Sequence, residues 1–242
     1  MILQERIIGN AKLYLGDSIE ILPLLKDIDL IVTDPPYPLT SGGKNTGQLG
    51  GKLSKDRYNN SGLIVDCAIK WRDFMPLLYN SLRPNAHCYT MSDDKNLRNM
   101  LNAANKSGFR FHRLLPWDKG NATPTRWYMK NCEFAGFFFK GKAFAINNCG
   151  DKQSSYVPQE PYGDHPTPKP VDLMRQYIRN SSQKGEIVLD PFMGSGATGV
   201  AAIKEGRSFI GIEKNEQFFN MACERISKIG ASGDQISFFD AI

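Results

Sequence analysis

The chain has 242 residues, 41% of them hydrophobic and 23% charged, and its 30 Lys and Arg residues against 25 Asp and Glu residues give a net charge of +5. These proportions are close to those of ordinary globular proteins, so they exclude the disordered, collagen-like and coiled-coil classes. No apolar run approaches the roughly 18 residues that a membrane helix needs, and the amino terminus lacks the pattern of a secretory signal, so we expect a cytoplasmic protein without a membrane partner.

Strand and helix signals alternate over the first half of the chain. Asp17 has the side chain of a helix N-cap, and Glu20 follows at the spacing of a capping box. In chain order, the predicted elements are a strand over 11–15, a helix that begins at 17, a strand over 29–33, a helix over 63–82 interrupted at Met75-Pro76, a strand over 86–91, a helix over 93–106 and a strand over 109–115.

The alternation resumes after a stretch with few regular signals. The further predicted elements are a helix over 171–180, a strand over 186–189, a helix over 197–205, a strand over 208–212 and a helix over 215–229. Such alternation predicts one α/β domain over 1–242 with a largely parallel sheet. Two segments interrupt it: 38–62, rich in Gly, Ser, Asn and Lys, which we expect to be a mobile loop, and 121–164, which we expect to be a short insert.

The first chemical motif is Asp34-Pro35-Pro36-Tyr37, directly after the apolar run 29–33. Ligands of open α/β sheets bind beyond the carboxyl ends of strands, so this position suits a binding site. The Asp34 carboxylate can accept a hydrogen bond from an exocyclic amine, and the stiff backbone at Pro35 offers a carbonyl as a second acceptor. Tyr37 can stack on a flat ring. The motif predicts a socket for an aromatic amine, with an ordinary Asp-Pro-Pro turn as the alternative.

The second motif, over 187–199, is a strand that leads through a Gly-rich turn into an apolar helix. Backbone N–H groups and a helix N-terminus would face a ligand above the turn. Glu213 ends the next strand, where an acidic side chain can hold both hydroxyls of a ribose. This motif alone fits NAD and S-adenosylmethionine equally well, so a nicotinamide-linked oxidoreductase stays open here. The residues expected to bind the cofactor are Asp190, Phe192, Gly194, Ser195, Gly196 and Glu213.

Together, and in this order, the two motifs resemble the amino-methylating DNA methyltransferases of the permuted group, in which the catalytic motif precedes the cofactor motif. The resemblance spans nearly the whole chain. It implies a Rossmann-like, S-adenosylmethionine-dependent methyltransferase fold, with helices on both faces of a mostly parallel sheet and a short target-recognition insert. It also adds cofactor contacts outside the Gly-rich turn, at Asp17, Asp34, His165, Thr167 and Lys169, the last two near the methionine carboxylate.

The mechanism that the resemblance implies uses the first motif as the catalytic site. An adenine flipped out of double-stranded DNA would stack on Tyr37, and its N6 amine would donate to the Asp34 carboxylate and to the Pro35 carbonyl. The methyl group would move in one direct displacement, with no cysteine nucleophile. The five cysteines show no metal-ligand spacing, and we expect no metal site. The N4 amine of cytosine offers the same donor geometry, so an N4-cytosine methyltransferase is the alternative.

The resemblance further implies contacts to DNA from two segments. The loop 38–62 is expected to order over DNA or the flipped base, and target recognition is expected within 121–164. Since even a single recognition module normally buries roughly 600–1,000 Å², this short insert predicts either a short recognition sequence or a homodimer that shares the task. The residues expected to contact DNA are Lys44, Lys52, Lys55, Arg57, Lys119, Arg126 and Lys130.

Positive charge is concentrated between Lys106 and Lys142, where eight basic residues stand against two acidic ones among many aromatic residues. This composition suits nucleic acid, and we expect most of it to lie beside the DNA; a solvated basic face is the alternative. Near the carboxyl end, Gln235-Ile236-Ser237-Phe238-Phe239 resembles the short peptide by which bacterial proteins bind the replication sliding clamp. A last strand of the sheet is the alternative for that segment.

Overall fold

The structure, a computed structural model, describes residues 1–36, 69–123, 128, 130–142, 144–158 and 169–230. Within them, one sheet of nine strands has the order β1-β2-β9-β8-β3-β4-β6-β5-β7. The strands are β1 (Ile2–Ile8), β2 (Ala11–Gly16), β3 (Ile28–Thr33), β4 (Leu82–Ser92), β5 (Arg110–Thr123), β6 (Lys130–Phe139), β7 (Ser155–Tyr156), β8 (Ile187–Asp190) and β9 (Ser208–Glu213). Strands β2, β9, β8, β3 and β4 are parallel to one another, whereas β6 runs antiparallel between β4 and β5.

Helices cover both faces of this sheet. They are α1 (Ser18–Ile21), α2 (Trp71–Ser81), α3 (Leu97–Ser107), α4 (Val171–Ser181), α5 (Ala197–Lys204) and α6 (Glu216–Gly230), with a 3-10 turn over Leu22–Leu24. Helices α4, α5 and α6 pack into one apolar core, and α1, α2 and α3 pack into the other. Strand β3 is apolar on both sides because Leu30 and Val32 belong to the first core and Ile31 to the second. The predicted α/β class is confirmed.

Most predicted elements agree with the structure to within a few residues, including the Asp17 N-cap, whose side chain accepts from Ile19 N at 2.9 Å. The helix predicted over 63–82 begins only at Trp71, because Lys70 before it has an extended backbone, and the expected interruption at Pro76 is wrong, because α2 continues through this residue. Proline at this position removes only the hydrogen bond to the carbonyl of Arg72, in the exposed first turn, where water can replace it. Helix α3 begins at Leu97 rather than at 93, since Asp93 Oδ1 accepts from the backbone N–H of Asn96 instead.

The sequence pattern missed strand β1 and predicted too short a strand β5. Strand β1 has no counterpart in the sequence prediction: it is an edge strand, mostly exposed, and therefore carries little apolar periodicity. Strand β5 continues to Thr123, eight residues beyond the predicted end. Its partner β6 lies inside the segment 121–164 that was expected to be an insert, and it pairs with both β4 and β5. Ten residues of that segment form β6, and with the end of β5 (121–123) and β7 (155–156) fifteen of its residues belong to the sheet.

Candidate active site

Five parallel strands end at one edge of the sheet, the carboxyl edge, and the two chemical motifs meet there. Strand β3 ends at Thr33 and leads into Asp34, and its neighbour β8 ends at Asp190. Strand β9 ends at Glu213, and β2 leads into Asp17. Carboxylates that follow four strands therefore lie along the edge at which open α/β sheets bind ligands.

Asp34 presents one carboxylate oxygen that lacks a donor. Its Oδ2 accepts from Lys169 Nζ at 2.5 Å, whereas Oδ1 is buried and has no hydrogen-bond partner among the described residues. About a quarter of the side-chain surface is exposed (26%), so the group lies close to the surface of the site. Burial raises the pKa of Asp34, and the positive charge of Lys169 opposes that shift. A buried acceptor without a donor costs free energy until a ligand supplies one.

Asp190 is held by the strand ends beside it. Thr33 Oγ1 donates to its Oδ1 at 2.7 Å, and the backbone N–H of Phe192 donates to the same oxygen at 3.1 Å. The side chain is almost fully buried, and burial raises its pKa to about 6 although Thr198 and Thr33 hydrogen-bond to it. Asp190 thus links β3, which leads into Asp34, to the Gly-rich turn that follows β8.

The Gly-rich turn adopts a backbone that glycine permits. Gly194 and Gly196 have φ angles of 50° and 81°, and Gly196 precedes α5 in the left-handed conformation. The turn also lies close to α6, because a Cβ at Gly196 would stand 2.9 Å from the Cβ of Ala222. The sequence prediction of a tight turn between strand and helix is confirmed at this point.

Glu213, which was expected to bind a ribose, ties β9 to the Gly-rich turn. Its Oε2 accepts from the backbone N–H of Gly194 at 2.9 Å, and its Oε1 accepts from that of Asn215 at 2.8 Å. Burial raises the pKa of this carboxyl, with the backbone hydrogen bonds opposing the shift. The backbone N–H of Lys214 also hydrogen-bonds to this carboxylate, which leaves one acceptor site for a ligand hydroxyl, so ribose binding stays a prediction.

Asp17 and Ser18 bring the first helix to the same edge. Asp17 Oδ2 accepts from Lys214 Nζ at 2.9 Å, next to Glu213 in the chain. Ser18 Oγ donates to the carbonyl of Pro191, inside the second motif. The segment around Asp17, which was expected to contact the cofactor, therefore lies against the Gly-rich turn.

Asp34 belongs to a cluster of four charged side chains. Lys169 Nζ lies 3.4 Å from Glu133 Oε2 in addition to its contact with Asp34, and Lys119 Nζ donates to Glu133 Oε1 at 2.8 Å. Lys119 and Lys169 lie 5.7 and 6.0 Å from the ring centroid of the buried Trp117. The structure thus places Lys119, expected to contact DNA, and Lys169, expected near the methionine carboxylate, in ion pairs beside Asp34.

Sequence reasoning did not assign a function to Glu133. The signal lies in the pairing of β5 with β6, whose register sets Trp117 opposite Glu133 and brings Lys119 to the same end of the hairpin. This register could be found only after β6 was recognised as a strand of the sheet.

The basic stretch from Lys106 to Lys142 is divided between opposite edges of the sheet. Because β6 is antiparallel to β4, its first residues lie at the carboxyl edge, with Phe134 beside Ser92, and its last residues lie at the other edge, with Phe139 beside Arg110. Four of the eight basic residues therefore lie at the edge opposite Asp34, and the expectation that most of this charge lies beside the DNA stays a prediction. The basic residues at the far edge are Lys106, Arg110, Lys140 and Lys142.

Several predicted site residues lie outside the described residues. They are Tyr37, Lys44, Lys52, Lys55, Arg57, Arg126, His165 and Thr167, together with the segment 235–239. For Lys130, only the backbone at the start of β6 is described. Their roles stay predictions.

One protein family matches most of the chain. A family model described as DNA methylase matches residues 28–224. The chain belongs to the DNA methylase family. This methylase is 28% identical to Type II methyltransferase M2.MboI of Moraxella bovis, over 91% of this chain and 89% of that protein. It is 27% identical to Type II methyltransferase M2.DpnII of Streptococcus pneumoniae, over 87% of each. Membership of the DNA methylase family excludes the nicotinamide-linked oxidoreductase, the alternative that the Gly-rich turn alone allowed.

Solved structures agree with this assignment. The methylase superposes on the M1.HpyAVI-SAM complex with a TM-score of 0.67 and 26% identity, over 89% of this chain and 99% of that chain. The PvuII DNA methyltransferase, described as cytosine-N4-specific, superposes with a TM-score of 0.71 over 96% of this chain and 95% of that one. At 18% identity, the second likeness concerns the fold alone.

Proposed function

We propose that the methylase transfers a methyl group from S-adenosylmethionine to the N6 amine of an adenine flipped out of double-stranded DNA. The observation that carries the proposal is the Asp34 carboxylate, with Oδ2 held by Lys169 and a buried Oδ1 that lacks a donor in the described chain. An exocyclic amine is a donor of the required kind. The motif supports adenine, because Asp at its first position is associated in this family mostly with that base.

The carboxyl edge has the chemistry to hold S-adenosylmethionine. The cofactor presents hydrogen-bond donors at its adenine amine, ribose hydroxyls and ammonium group, and the edge presents the acceptors Asp17, Asp190 and Glu213. Burial raises the pKa of Asp190 and of Glu213, so a neighbouring cation such as a sulfonium would stabilise their ionised forms. When bound, the cofactor supplies an electrophilic methyl group. We assign its binding to these acceptors together with Phe192, Gly194, Ser195, Gly196, His165 and Thr167.

The residues of the catalytic motif then position and activate the amine. Asp34 Oδ1 accepts one N–H of the amine, and the Pro35 carbonyl accepts the other, which turns the nitrogen lone pair away from the ring. Tyr37 stacks on the base and fixes its plane. As the nitrogen gains the methyl group it becomes positively charged, and the Asp34 carboxylate stabilises that charge and accepts the proton that the nitrogen then releases. The raised pKa of Asp34 suits it to receive that proton.

Substitution of Asp34 tests this mechanism. We expect Asp34→Ala to lower the single-turnover rate of methyl transfer by about 10²- to 10³-fold or more, because the amine loses its charged acceptor. The measurement is incubation of the protein with labelled S-adenosylmethionine and unmethylated DNA, followed by mass spectrometry of the nucleosides. An Asp34→Ala protein with wild-type turnover would contradict the mechanism.

Two matched comparisons complete this experiment. Asp34→Asn retains the size of the side chain and one carbonyl acceptor but removes the charge, so its rate should lie between those of the wild type and of Asp34→Ala. Cofactor binding, measured by calorimetry without DNA, should persist in both variants. If binding disappears along with turnover, Asp34 holds the cofactor instead of the amine.

The same nucleoside analysis distinguishes the second candidate function. The N4 amine of cytosine presents an equivalent donor, and the PvuII enzyme described as cytosine-N4-specific has this fold. The expected product is N6-methyldeoxyadenosine. Recovery of N4-methyldeoxycytidine would instead assign the cytosine activity, and recovery of neither nucleoside would refute both.

We further propose that the basic residues Lys44, Lys52, Lys55, Arg57, Arg126 and Lys130 contact the DNA backbone, and that recognition of the target sequence lies within 121–164. Because that segment also supplies β6, little of it remains for reading bases. This supports a short recognition sequence or a homodimer that shares the reading. Protection mapping of methylated plasmid decides the point, because a strict site of six or more base pairs modified by a proven monomer would exclude both.

Two finer proposals concern partners and location. The segment 235–239 would bind the replication sliding clamp, and a pull-down with and without the last eight residues tests this: loss of binding with methylation intact supports it, and unchanged binding contradicts it. The cytoplasm is the proposed location, since a DNA methylase must reach the chromosome. None of the described helices combines the length and the apolar character needed to span a bilayer. Fractionation of cells that express the protein would check the location.

A further inference from the structure

Asp34 and three other charged groups are connected in series by ion pairs. Lys119 Nζ donates to Glu133 Oε1 at 2.8 Å, Glu133 Oε2 lies 3.4 Å from Lys169 Nζ, and Lys169 Nζ lies 2.5 Å from Asp34 Oδ2. Two carboxylates and two ammonium groups thus alternate and balance in charge. This series of ion pairs connects β5 and β6, toward one side of the sheet, with β3 near its centre.

We propose that Glu133 and Lys119 are positioning residues that set the hydrogen-bonding capacity of Asp34 by controlling how strongly Lys169 binds it. The inference rests on the proposed catalytic role of Asp34. Glu133 shares Lys169 with Asp34, so that Asp34 keeps part of its negative charge for the substrate amine. Lys119 holds Glu133 in place from the other side.

Low exposure makes these charges interact strongly. The side chains of Lys169, Glu133 and Lys119 are 10%, 15% and 16% exposed. Charges at such depth are screened much less by water and salt than surface pairs are, so a change of one charge is felt by the next. An isolated pair on the surface would give a far smaller effect.

The buried side chain of Trp117 lies beside the connected charged groups. Trp117 is fully buried, and its Nε1 donates to the carbonyl of Val157 at 2.8 Å. Both lysine ammonium groups lie about 6 Å from its ring centroid, within the distance at which a cation is attracted to an aromatic face. Trp117 pairs with Glu133 across the β5–β6 ladder, so the sheet backbone fixes the position of Glu133 relative to this ring.

The charges act on Asp34 with opposite signs. Burial raises the pKa of Asp34 most, Lys169 lowers it, Glu133 raises it and Lys119 lowers it. Asp190, at the end of the neighbouring strand, is the other carboxylate that interacts with Asp34. Removal of Glu133 therefore leaves a weaker base tied more closely to Lys169, and removal of Lys119 has the opposite effect on the pKa of Asp34.

The test is the pH dependence of the single-turnover rate in charge-removing variants. The rate falls at acid pH because a protonated Asp34 cannot accept from the amine. We expect Glu133→Gln to move the midpoint of this fall to lower pH and to reduce the plateau rate by about tenfold or more, since a small misplacement of a catalytic group is costly. We expect Lys119→Gln to move the midpoint to higher pH. The double variant Glu133→Gln/Lys119→Gln, which removes one charge of each sign, should return it toward that of the wild type.

Controls separate this effect from simple destabilisation. Lys119→Arg keeps the charge and should keep the wild-type midpoint. Glu224→Gln removes a carboxylate that pairs with Lys228 on the exposed surface of α6, and it should shift nothing. A titration of the Asp34 carboxyl by ¹³C NMR, without cofactor or DNA and assigned with Asp34→Asn, should show the same directions as the rates.

Failure of this inference and failure of the proposed function would give different results. Midpoints of Glu133→Gln and Lys119→Gln that coincide with the wild type, or that move in the same direction, would overturn the inference while the wild type still makes methylated DNA. A wild type that makes none would refute the proposed function, and the carboxyl titration would still decide whether the two residues control Asp34.

Discussion

Asp190 is a residue whose ionisation costs the free protein stability. Burial raises its pKa from 3.8 to about 6, so the folded protein binds this proton more tightly than the unfolded chain does. Ionisation of Asp190 therefore lowers the free energy of unfolding as the pH rises from 3.8 to about 6. We expect Asp190→Asn to raise the free energy of unfolding at pH 7 by about 1–3 kcal/mol, and to do so less as the pH falls through that window. Urea unfolding at several pH values measures the difference.

The asparagine is compatible with the site because its oxygen can still accept from Thr33, and its amide can donate to the hydroxyl of Thr198. Cofactor binding should weaken in this variant, as expected where a strained charge is kept for function. Asp172→Asn, which removes a carboxylate at an exposed position on α4, serves as the comparison. An Asp190→Asn protein less stable than the wild type at pH 7 would show that the charge stabilises the fold.

The sequence predicted individual site residues better than it predicted which side chains contact one another. Asp34, Asp190 and Glu213 were found because each follows an apolar strand within a recognisable motif, and all three lie at the carboxyl edge. The partner of Lys169 was missed because it lies 135 residues away, and the contact depends on tertiary structure. Pairings between charged groups leave no local pattern, so they could not be predicted.

The Gly-rich turn shows how one position joins two elements. At Gly196, an alanine would be strained by φ of 81°, and its Cβ would stand 2.9 Å from Ala222 in α6. We expect Gly196→Ala to lower the free energy of unfolding by about 2–4 kcal/mol, from the sum of left-handed strain and overpacking. Gly185→Ala is the matched control, since Gly185 has φ of 84° but no atom within 4 Å of the added Cβ. It should lose only the strain, about 1–2 kcal/mol.

Denaturant unfolding of the two variants measures the packing term as their difference. Equal losses would mean that α6 moves aside without cost and that the turn does not depend on its contact with that helix. A larger loss at Gly196 would show that the packing of α5 against α6 supports the turn, and cofactor binding should then weaken in Gly196→Ala alone.

Elements inside the sheet were easier to predict than elements at its margins. Strands β3, β8 and β9 are short apolar runs between helices, and their predicted limits are right to within one residue at either end. Strand β1 is exposed at the edge, and β6 carries aromatic residues in a segment full of turn signals, so periodicity alone did not reveal them as parts of the sheet. Local sequence patterns do not encode the position of a strand in the sheet, and β1 and β6 were missed by the pattern for this reason.

For the whole molecule, the antiparallel insertion of β6 between β4 and β5 decides where the positive charge lies. Arg110 begins β5 at the edge opposite Asp34, and Lys142 follows β6 at that same edge, where its backbone N–H donates to Asn85 Oδ1. Lys140 is occupied within the fold, since its Nζ donates to the carbonyl of Tyr79 at 2.8 Å. Half of the basic residues of the stretch thus lie away from the edge that carries Asp34, which its composition could not reveal.

The salt dependence of DNA binding tests this division of charge. Each phosphate contact contributes about 0.9 to the slope of log affinity against log salt. Lys130 begins β6 at the carboxyl edge, so Lys130→Gln should reduce the slope by about 0.9, the value of one phosphate contact. Arg110→Gln and Lys142→Gln should leave the slope unchanged. All three substitutions remove one positive charge, so net charge alone would predict equal effects. Equal reductions at both edges would mean that DNA wraps around the molecule, whereas a loss confined to Lys130 places the DNA across the edge that carries Asp34.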